Sequence, residues 1–199
     1  MLDARISRET AGWAGVLVVA TAAATIALSV ALFDGYDWGV HALSTLGHVD
    51  MAAATDSRPV FTAGLLLAAV FGLVFAVGLA RLEDRRLWTA GAALYAIAHL
   101  TVAWQAIFPA GVPQHDWLSV FPFFVGALLV LGVDQLRTPE TRLFGVVVLS
   151  NLAIGLLGAG LLLQTDVEGW AIHQVLGLAV FSVLTLLFAG RLLGVAGFE

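Results

Sequence analysis

Cysteine and lysine are both absent from this chain of 199 residues, and charged residues make up only 12% of it. Without cysteine there are no disulfides, no thiol catalysis and no cysteine-held iron–sulfur cluster. So little charge excludes an ordinary water-soluble domain, in which about a quarter of the residues are charged. Nine basic residues face 14 acidic ones, a net charge of −5, so we do not expect the chain to bind nucleic acid.

Several catalytic motifs are missing as well. The chain has no His-Glu-x-x-His zinc motif and no paired Ser-Gly-His and Arg-His elements of the kind expected in a lipid phosphatase. Glycine is abundant, but "GAGLLLQ" at residues 158–164 lies inside an apolar run and not between a strand and a helix. The glycines are therefore predicted to let helices approach closely, and not to hold a phosphate.

Long apolar runs dominate what remains. Hydrophobic residues are 60% of the chain and the mean hydropathy is +0.97. Each run approaches the length of about 20 residues that a membrane-spanning helix requires. The sequence predicts an all-α polytopic membrane protein, a single integral membrane domain over residues 1–199 that forms a six-transmembrane-helix bundle with a structured first outer loop. Its predicted helices cover residues 11–33, 59–80, 87–108, 117–135, 143–163 and 170–191, and Pro122 is expected to bend the fourth.

The arginines divide unevenly between the two sides of this bundle. Eight lie in the N-terminal tail, in the second and fourth connections or at the end of the last helix, and Arg58 alone lies on the other side. Because positively charged short loops stay cytoplasmic, both termini are predicted to lie in the cytoplasm, with the protein in the cell (plasma) membrane. Residues 34–58, 109–116 and 164–169 are then acidic outer loops.

Every histidine falls in the outer half of the predicted bundle, at positions His41, His48, His99, His115 and His173. In "HALSTLGHVD", residues 41–50, helical spacing would align His41, Ser44 and His48 on one face of a short helix. Gly47 is expected to end that helix, and if it does, His48 and Asp50 turn into the following loop. In "FPAGVPQHDW", residues 108–117, the histidine and Asp116 stand at the start of the fourth helix. We expect the side chains of Ser44, His115 and His173 to converge on one outer pocket, which the first loop caps.

His99 lies well inside the third helix, where a polar side chain needs a partner. Tyr95, four residues earlier, shares its helix face. Asn151 or Ser150 on the fifth helix is the expected partner across the bundle, and Tyr95, His99 and Asn151 are further candidates for the pocket.

The chain also resembles a known family. "LSTLG" at residues 43–47 and "IFPAGVPQH" at residues 107–115 are similar to elements of the uncharacterised multi-pass membrane family called domain of unknown function 998 (DUF998), in its haloarchaeal form. The matching residues are Ser44, Leu46, Gly47, Phe108, Pro109 and His115. More distantly, the first-loop element resembles six-helix membrane proteins of the DRAM and Sfk type. The resemblance implies the fold and an outer site, but no reaction.

Three hypotheses about function remain open. The first is a non-enzymatic membrane component without a cofactor that binds lipid, takes part in transport or stabilises a partner. The second is a membrane-embedded metal-dependent hydrolase or lipid-modifying enzyme, with catalytic candidates Ser44, His115 and Asp116 and zinc candidates His41, His48, His115 and His173. The third is a haem protein that uses His99 and His173. Membrane lipids are the expected partners, with a membrane-protein partner or a second copy of the chain as further candidates.

Overall fold

A computed structural model of the protein describes residues 6–164 and 169–195. Within these residues the chain forms six long α-helices and no strand. The helices are α1 (Arg8–Leu32), α2 (Ser57–Ala80), α3 (Arg86–Ile107), α4 (Phe121–Leu136), α5 (Arg142–Leu162) and α6 (Ala171–Leu192). Each belongs to a segment long and apolar enough to cross a membrane. The protein is therefore an all-α, multi-pass membrane protein, as its apolar runs predict.

Short 3₁₀ helices occupy the connections, at Leu43–Gly47, Ala52–Ala54, Pro113–Trp117 and Pro139–Thr141. The start of α1, the α2–α3 and α4–α5 connections and the end of α6 share one side, here called the terminal face. The other three connections, in the parts that the structure describes, form the distal face, which corresponds to the predicted outer side.

The fourth helix begins later than the sequence predicts. Residues Pro113–Trp117 form a separate 3₁₀ helix, and α4 starts only at Phe121. Pro122 is the second residue of α4, where its missing N–H leaves no helical hydrogen bond unmade. The proline therefore starts this helix and does not bend it, and Asp116 does not lie at the N-terminus of α4.

The helices form a closed ring. Each one packs against its neighbours in the sequence, and α6 returns to pack against α1 while also contacting α2 and α4. The terminal half of the ring is filled by large buried side chains such as Phe75, Trp88, Leu131 and Phe188. A smaller cluster around Leu46 packs beneath the distal face.

Glycines set how closely these helices approach one another. A side chain at Gly78 would overlap Ala11 of α1, and one at Gly64 would overlap Thr25 of the same helix. Gly155 lies against Val180 of α6 in the same way, whereas Gly160 has nothing within 4 Å. Since lipid supplies no hydrophobic drive between helices, such small-residue contacts provide the close van der Waals packing that holds them together.

Charged side chains meet at the terminal end of the bundle. Arg85 at the start of α3 lies 2.8 Å from the buried carboxylate of Asp134 on α4 and hydrogen-bonds Thr138. Arg191 on α6 lies 3.1 Å from Glu83 and donates to the Gln135 side chain at 2.8 Å. The network therefore ties the α2–α3 connection to both α4 and α6.

Removal of the central carboxylate should weaken the fold. Asp134→Ala leaves Arg85 without its nearest counter-charge. Because the Arg85 side chain is 29% exposed, we expect a loss of about 2 kcal/mol, less than the cost of breaking a fully buried pair. A denaturant titration of the detergent-solubilised protein measures this change in the free energy of unfolding.

Glu140→Ala is the matched control, because Glu140 is exposed on the same face. This variant should stay within about 0.5 kcal/mol of the parent. Equal stability of the two variants would contradict a structural role for the ion pair.

Candidate functional site

A cavity of about 510 Å³ lies in the distal half of the bundle. Every helix from α1 to α6 contributes to its wall, and the first loop and the α3–α4 connection close it on the distal side. Most of the lining is aliphatic or aromatic. The polar side chains on the wall are Thr25, Ser44, Thr62, Gln105, His115, Ser119, His173 and Gln174.

The first loop caps this cavity because it is attached to α6 on one side. The backbone N–H of Gly169 donates to Gly39 O at 2.6 Å, and that of Ala171 donates to His41 O at 3.0 Å. The N–H of Leu43 donates to the side-chain oxygen of Gln174 at 2.6 Å. The 3₁₀ helix Leu43–Gly47 is thereby held across the mouth of the bundle.

On its other side, the cap is attached to α2 and to the α3–α4 connection. The Ser57 hydroxyl donates to Leu46 O at 2.6 Å, and the Arg58 guanidinium donates to the carbonyls of His48 and Val49. The N–H of Val49 in turn donates to Ala110 O at 3.0 Å. Arg58, the one arginine of the distal face within the described residues, thus serves to hold the cap.

Gly47 ends the 3₁₀ helix, as predicted, but not by adopting a left-handed conformation, since its φ is not positive. A side chain at this position would meet the ring of Phe61 on α2 at 2.9 Å. Glycine is needed here because the cap lies directly on that ring.

Ser44 and His115 both line the cavity, whereas Asp116 is exposed and does not. Within the described residues no hydrogen bond joins Ser44 to either residue. The Nδ1 of His115 instead donates to Phe108 O at 2.9 Å, which leaves Nε2 as an acceptor in the neutral ring. The three catalytic candidates therefore do not form a nucleophile–base–carboxylate chain in this arrangement.

His173 also faces the cavity, from the first turn of α6. Both of its ring nitrogens are shielded from solvent and make no hydrogen bond to any described residue. The ring of Trp170 lies 5.2 Å away, centroid to centroid. The structure thus places Ser44, His115 and His173 on the wall of one cavity.

His41 and His48 belong to the cap and do not line the cavity. His41 accepts from the N–H of Asp37 at 3.0 Å, and its ring packs on Tyr36, whose pKa burial raises to about 12. His48 accepts from the N–H of Asp50 at 3.1 Å and lies against Gly111, whose φ of +98° favours glycine.

The four zinc candidates do not form one cluster, because His41 and His48 belong to the cap whereas His115 and His173 line the cavity. Across residues 6–164 and 169–195, no three histidine or carboxylate side chains lie close enough together to hold a metal ion. The arrangement of the described residues gives the zinc hypothesis no support.

His99 is buried beneath the cavity and is not part of its wall. Its ring stacks on Tyr95 at 4.6 Å between centroids, its Nδ1 donates to Tyr95 O at 3.0 Å, and its Nε2 edge lies on the backbone of Gly72. Phe124 covers it from α4. The Nδ1 is already hydrogen-bonded and the residue is only 2% exposed within this packing, so the geometry does not support the haem hypothesis.

The prediction that Asn151 or Ser150 of α5 is the partner of His99 was wrong, because α3 and α5 are not neighbours in the ring. Asn151 donates to Val180 O on α6 at 3.4 Å instead. Tyr95, and not His99, makes the polar contact across the bundle: its hydroxyl lies 2.8 Å from that of Thr185 on α6. Tyr95, His99 and Thr185 form a structural layer under the cavity.

Sequence reasoning missed Gln174, which both lines the cavity and holds the cap. The pair "HQ" at residues 173–174 is polar within an otherwise apolar segment and was a usable signal. Thr25 and Thr62 carried no such signal, because single threonines inside long apolar runs are common in membrane helices.

A family model described as a protein of unknown function, DUF998, matches residues 14–191. The chain belongs to this family. The match in this DUF998 chain runs from α1 to the last turn of α6 and therefore includes each helix that lines the cavity. No curated protein and no solved structure matches the chain. Its likeness to haloarchaeal and DRAM or Sfk-type proteins stays a prediction.

The structural role of His99 in this DUF998 chain can be tested at Gly72. Gly72→Ala places a methyl group in the His99 ring and should cost about 1 to 3 kcal/mol of stability. In Gly72→Ala/His99→Ala the clash is absent, so the effect of the alanine at 72 should largely disappear. Thermal unfolding of all four forms gives the coupling energy.

Gly126→Ala is the control, since a side chain there would make ordinary contact with Leu94 at 3.6 Å. Gly126→Ala should be close to neutral. An unaltered cost of Gly72→Ala in the His99→Ala background would contradict the packing described here.

Proposed function

We propose that this DUF998 protein binds an uncharged lipid within the membrane, in the cavity at its distal end. One observation carries the proposal: a cavity of about 510 Å³ in the distal half of a membrane-spanning bundle, with an apolar wall and a few polar groups. Ligand sites in proteins commonly have volumes of about 300 to 1,000 Å³ and such a lining. A polar headgroup with part of one chain suits this space better than a whole two-chain phospholipid.

The electrostatics of the wall favour a lipid whose polar end is uncharged. Among the described lining residues there is no arginine, aspartate or glutamate, and His115 and His173 are the titratable ones. A charged headgroup drawn into this cavity would lose its water without gaining a counter-charge. A hydroxyl or carbonyl group can instead form hydrogen bonds with the amide, hydroxyl and imidazole groups present.

The cavity also lies in the part of the protein where lipid is available. The bundle has six candidate spans within the described residues, and the cavity is bounded by their distal halves. We infer that the protein resides in the plasma membrane with both termini in the cytoplasm. The arginine distribution supports this orientation, since Arg58 is the one arginine on the distal face. The cavity then belongs to the outer half of the membrane.

Lipid binding is tested by photolabelling in nanodiscs. The probe is a monooleoylglycerol analogue with a diazirine in its chain, and the comparison lipid is the same molecule with a phosphate in place of a hydroxyl. The uncharged probe should label peptides of the cavity wall at least about tenfold more strongly, because the charged headgroup must be desolvated. Equal labelling by the two lipids would contradict an uncharged site.

Gly177→Leu fills the cavity in the same experiment. Gly177 lines the wall, and a side chain there would first meet Phe121 at 4.0 Å, so the fold should tolerate it. Overlap with the lipid should weaken labelling by about 5- to 100-fold. Gly160→Leu, which points into open space away from the wall, is the matched control and should label like the parent.

Orientation is tested with single cysteines in the naturally cysteine-free chain. Asp50 is exposed on the distal face and Glu140 on the terminal face. A membrane-impermeant maleimide should label Asp50→Cys in intact cells and Glu140→Cys only after permeabilisation. The reverse pattern would place the termini outside.

A further inference from the structure

A narrow cleft of about 20 Å³ lies between α4, α5 and α6, next to the cavity. The cleft and the cavity have five lining residues in common: Phe121, Ala159, His173, Gly177 and Phe181. These five residues, here called the partition, therefore lie between the cavity and the membrane-facing groove that α5 makes with α6. In the structure the cleft is too narrow for an acyl chain.

The distal half of α5 is the least tightly packed part of this wall. Its buried residues end at Gly155, and none of residues 156–162 is buried. Leu157 and Leu161 are 68% and 65% exposed. Within the described residues the other helices all have at least one buried side chain at their distal ends, such as Thr101 of α3 or Phe124 of α4. Few buried contacts make a segment easy to displace.

His173 lies at the partition itself. It lines both the cleft and the cavity, and no described residue is hydrogen-bonded to either of its shielded ring nitrogens. A polar group withdrawn from water without a partner is unfavourable, and native proteins seldom keep one without a use. The nitrogens do not reach the open cavity in this arrangement, but a lipid headgroup inserted at the partition would reach them and supply the missing hydrogen bond.

We propose that the lipid enters the cavity sideways from the bilayer, between the distal half of α5 and α6, and that His173 at this opening binds its uncharged polar end. This inference rests on the proposed function. The cap does not need to open, so its hydrogen bonds to α6, α2 and the α3–α4 connection remain intact during entry. The motion is a displacement of the loosely packed end of α5.

A reversible cross-link between α5 and α6 tests this route. Gly158→Cys/Leu176→Cys places two thiols on facing sides of the groove, since a β-carbon at 158 would lie 3.0 Å from the Cδ2 of Leu176. A one-carbon bis-methanethiosulfonate joins the thiols and dithiothreitol releases them. The control pair is Gly126→Cys/Leu94→Cys, which joins α4 to α3: a side chain at 126 would make ordinary contact with the Leu94 side chain at 3.6 Å, and neither residue lines the cavity or the cleft.

The readout is the rate at which the diazirine monooleoylglycerol, added to nanodiscs, labels the cavity wall. With α5 joined to α6, this rate should fall at least about tenfold and recover after reduction, because access requires the opening. The control cross-link should leave it unchanged. Equal rates with α5 joined and released would overturn the inference and leave lipid binding intact. Absence of labelling in the reduced protein would instead refute the proposed function.

The role of His173 is tested by headgroup selectivity. His173→Phe keeps the ring shape and removes both nitrogens. The preference for monooleoylglycerol over a headgroup-free diazirine alkane should fall about fivefold, as expected for the loss of one hydrogen bond, while labelling by the alkane stays constant. An unchanged preference, or an equal loss with both probes, would remove His173 as the headgroup ligand.

Discussion

Closure of the helix ring by α6 against α1 is the contact on which the rest of the structure depends. Gly12 and Gly15 of α1 make it possible, since a side chain at Gly12 would overlap Leu193 and one at Gly15 would lie only 3.0 Å from the β-carbon of Ala189. Lipid gives helices no hydrophobic reason to associate, so this closure relies on close van der Waals packing and on polar groups at the two ends. Without it the interior would open to the bilayer and no cavity would exist.

The two ends of α6 are held by different chemistry. At the terminal face Arg191 reaches Glu83 and Gln135, within a network whose charges are paired. At the distal face backbone groups and Gln174 hold the first loop across the bundle, without any ion pair among the described residues. The terminal end is therefore filled and charged, whereas the distal end encloses uncharged space. This asymmetry is consistent with the proposal that an uncharged lipid binds at the distal end.

The wall of that space is uneven. Most of it is formed by tightly packed helices or by the cap, but α5 loses its buried contacts beyond Gly155. The partition that contains His173 lies next to this loose segment. An imidazole without a hydrogen-bond partner among the described residues and the sparsely buried end of α5 therefore occur at the same place.

Residue types and their spacing were enough to predict the helices and the importance of the first loop. The helix boundaries follow from the length of each apolar run, except at α4. There the proline-containing segment before Phe121 forms its own 3₁₀ helix. The partner of His99 could not be predicted, because the choice between α2, α4 and α5 depends on the order of helices around the ring. Ser44, His115 and His173 share a wall, but His41 and His48 turn away through hydrogen bonds to their own loop.

The sequence by itself determined that this protein lies in a membrane as a helical bundle, because hydrocarbon forces the backbone of each apolar run to satisfy its own hydrogen bonds. The ring order, the cavity and the exposed end of α5 were decided only by tertiary structure. These features depend on which helix faces meet, and in a chain whose helices are apolar on every side, hydropathy carries no record of that choice. Contacts such as Gly72 with His99 and Gly155 with Val180 determine which helix faces meet.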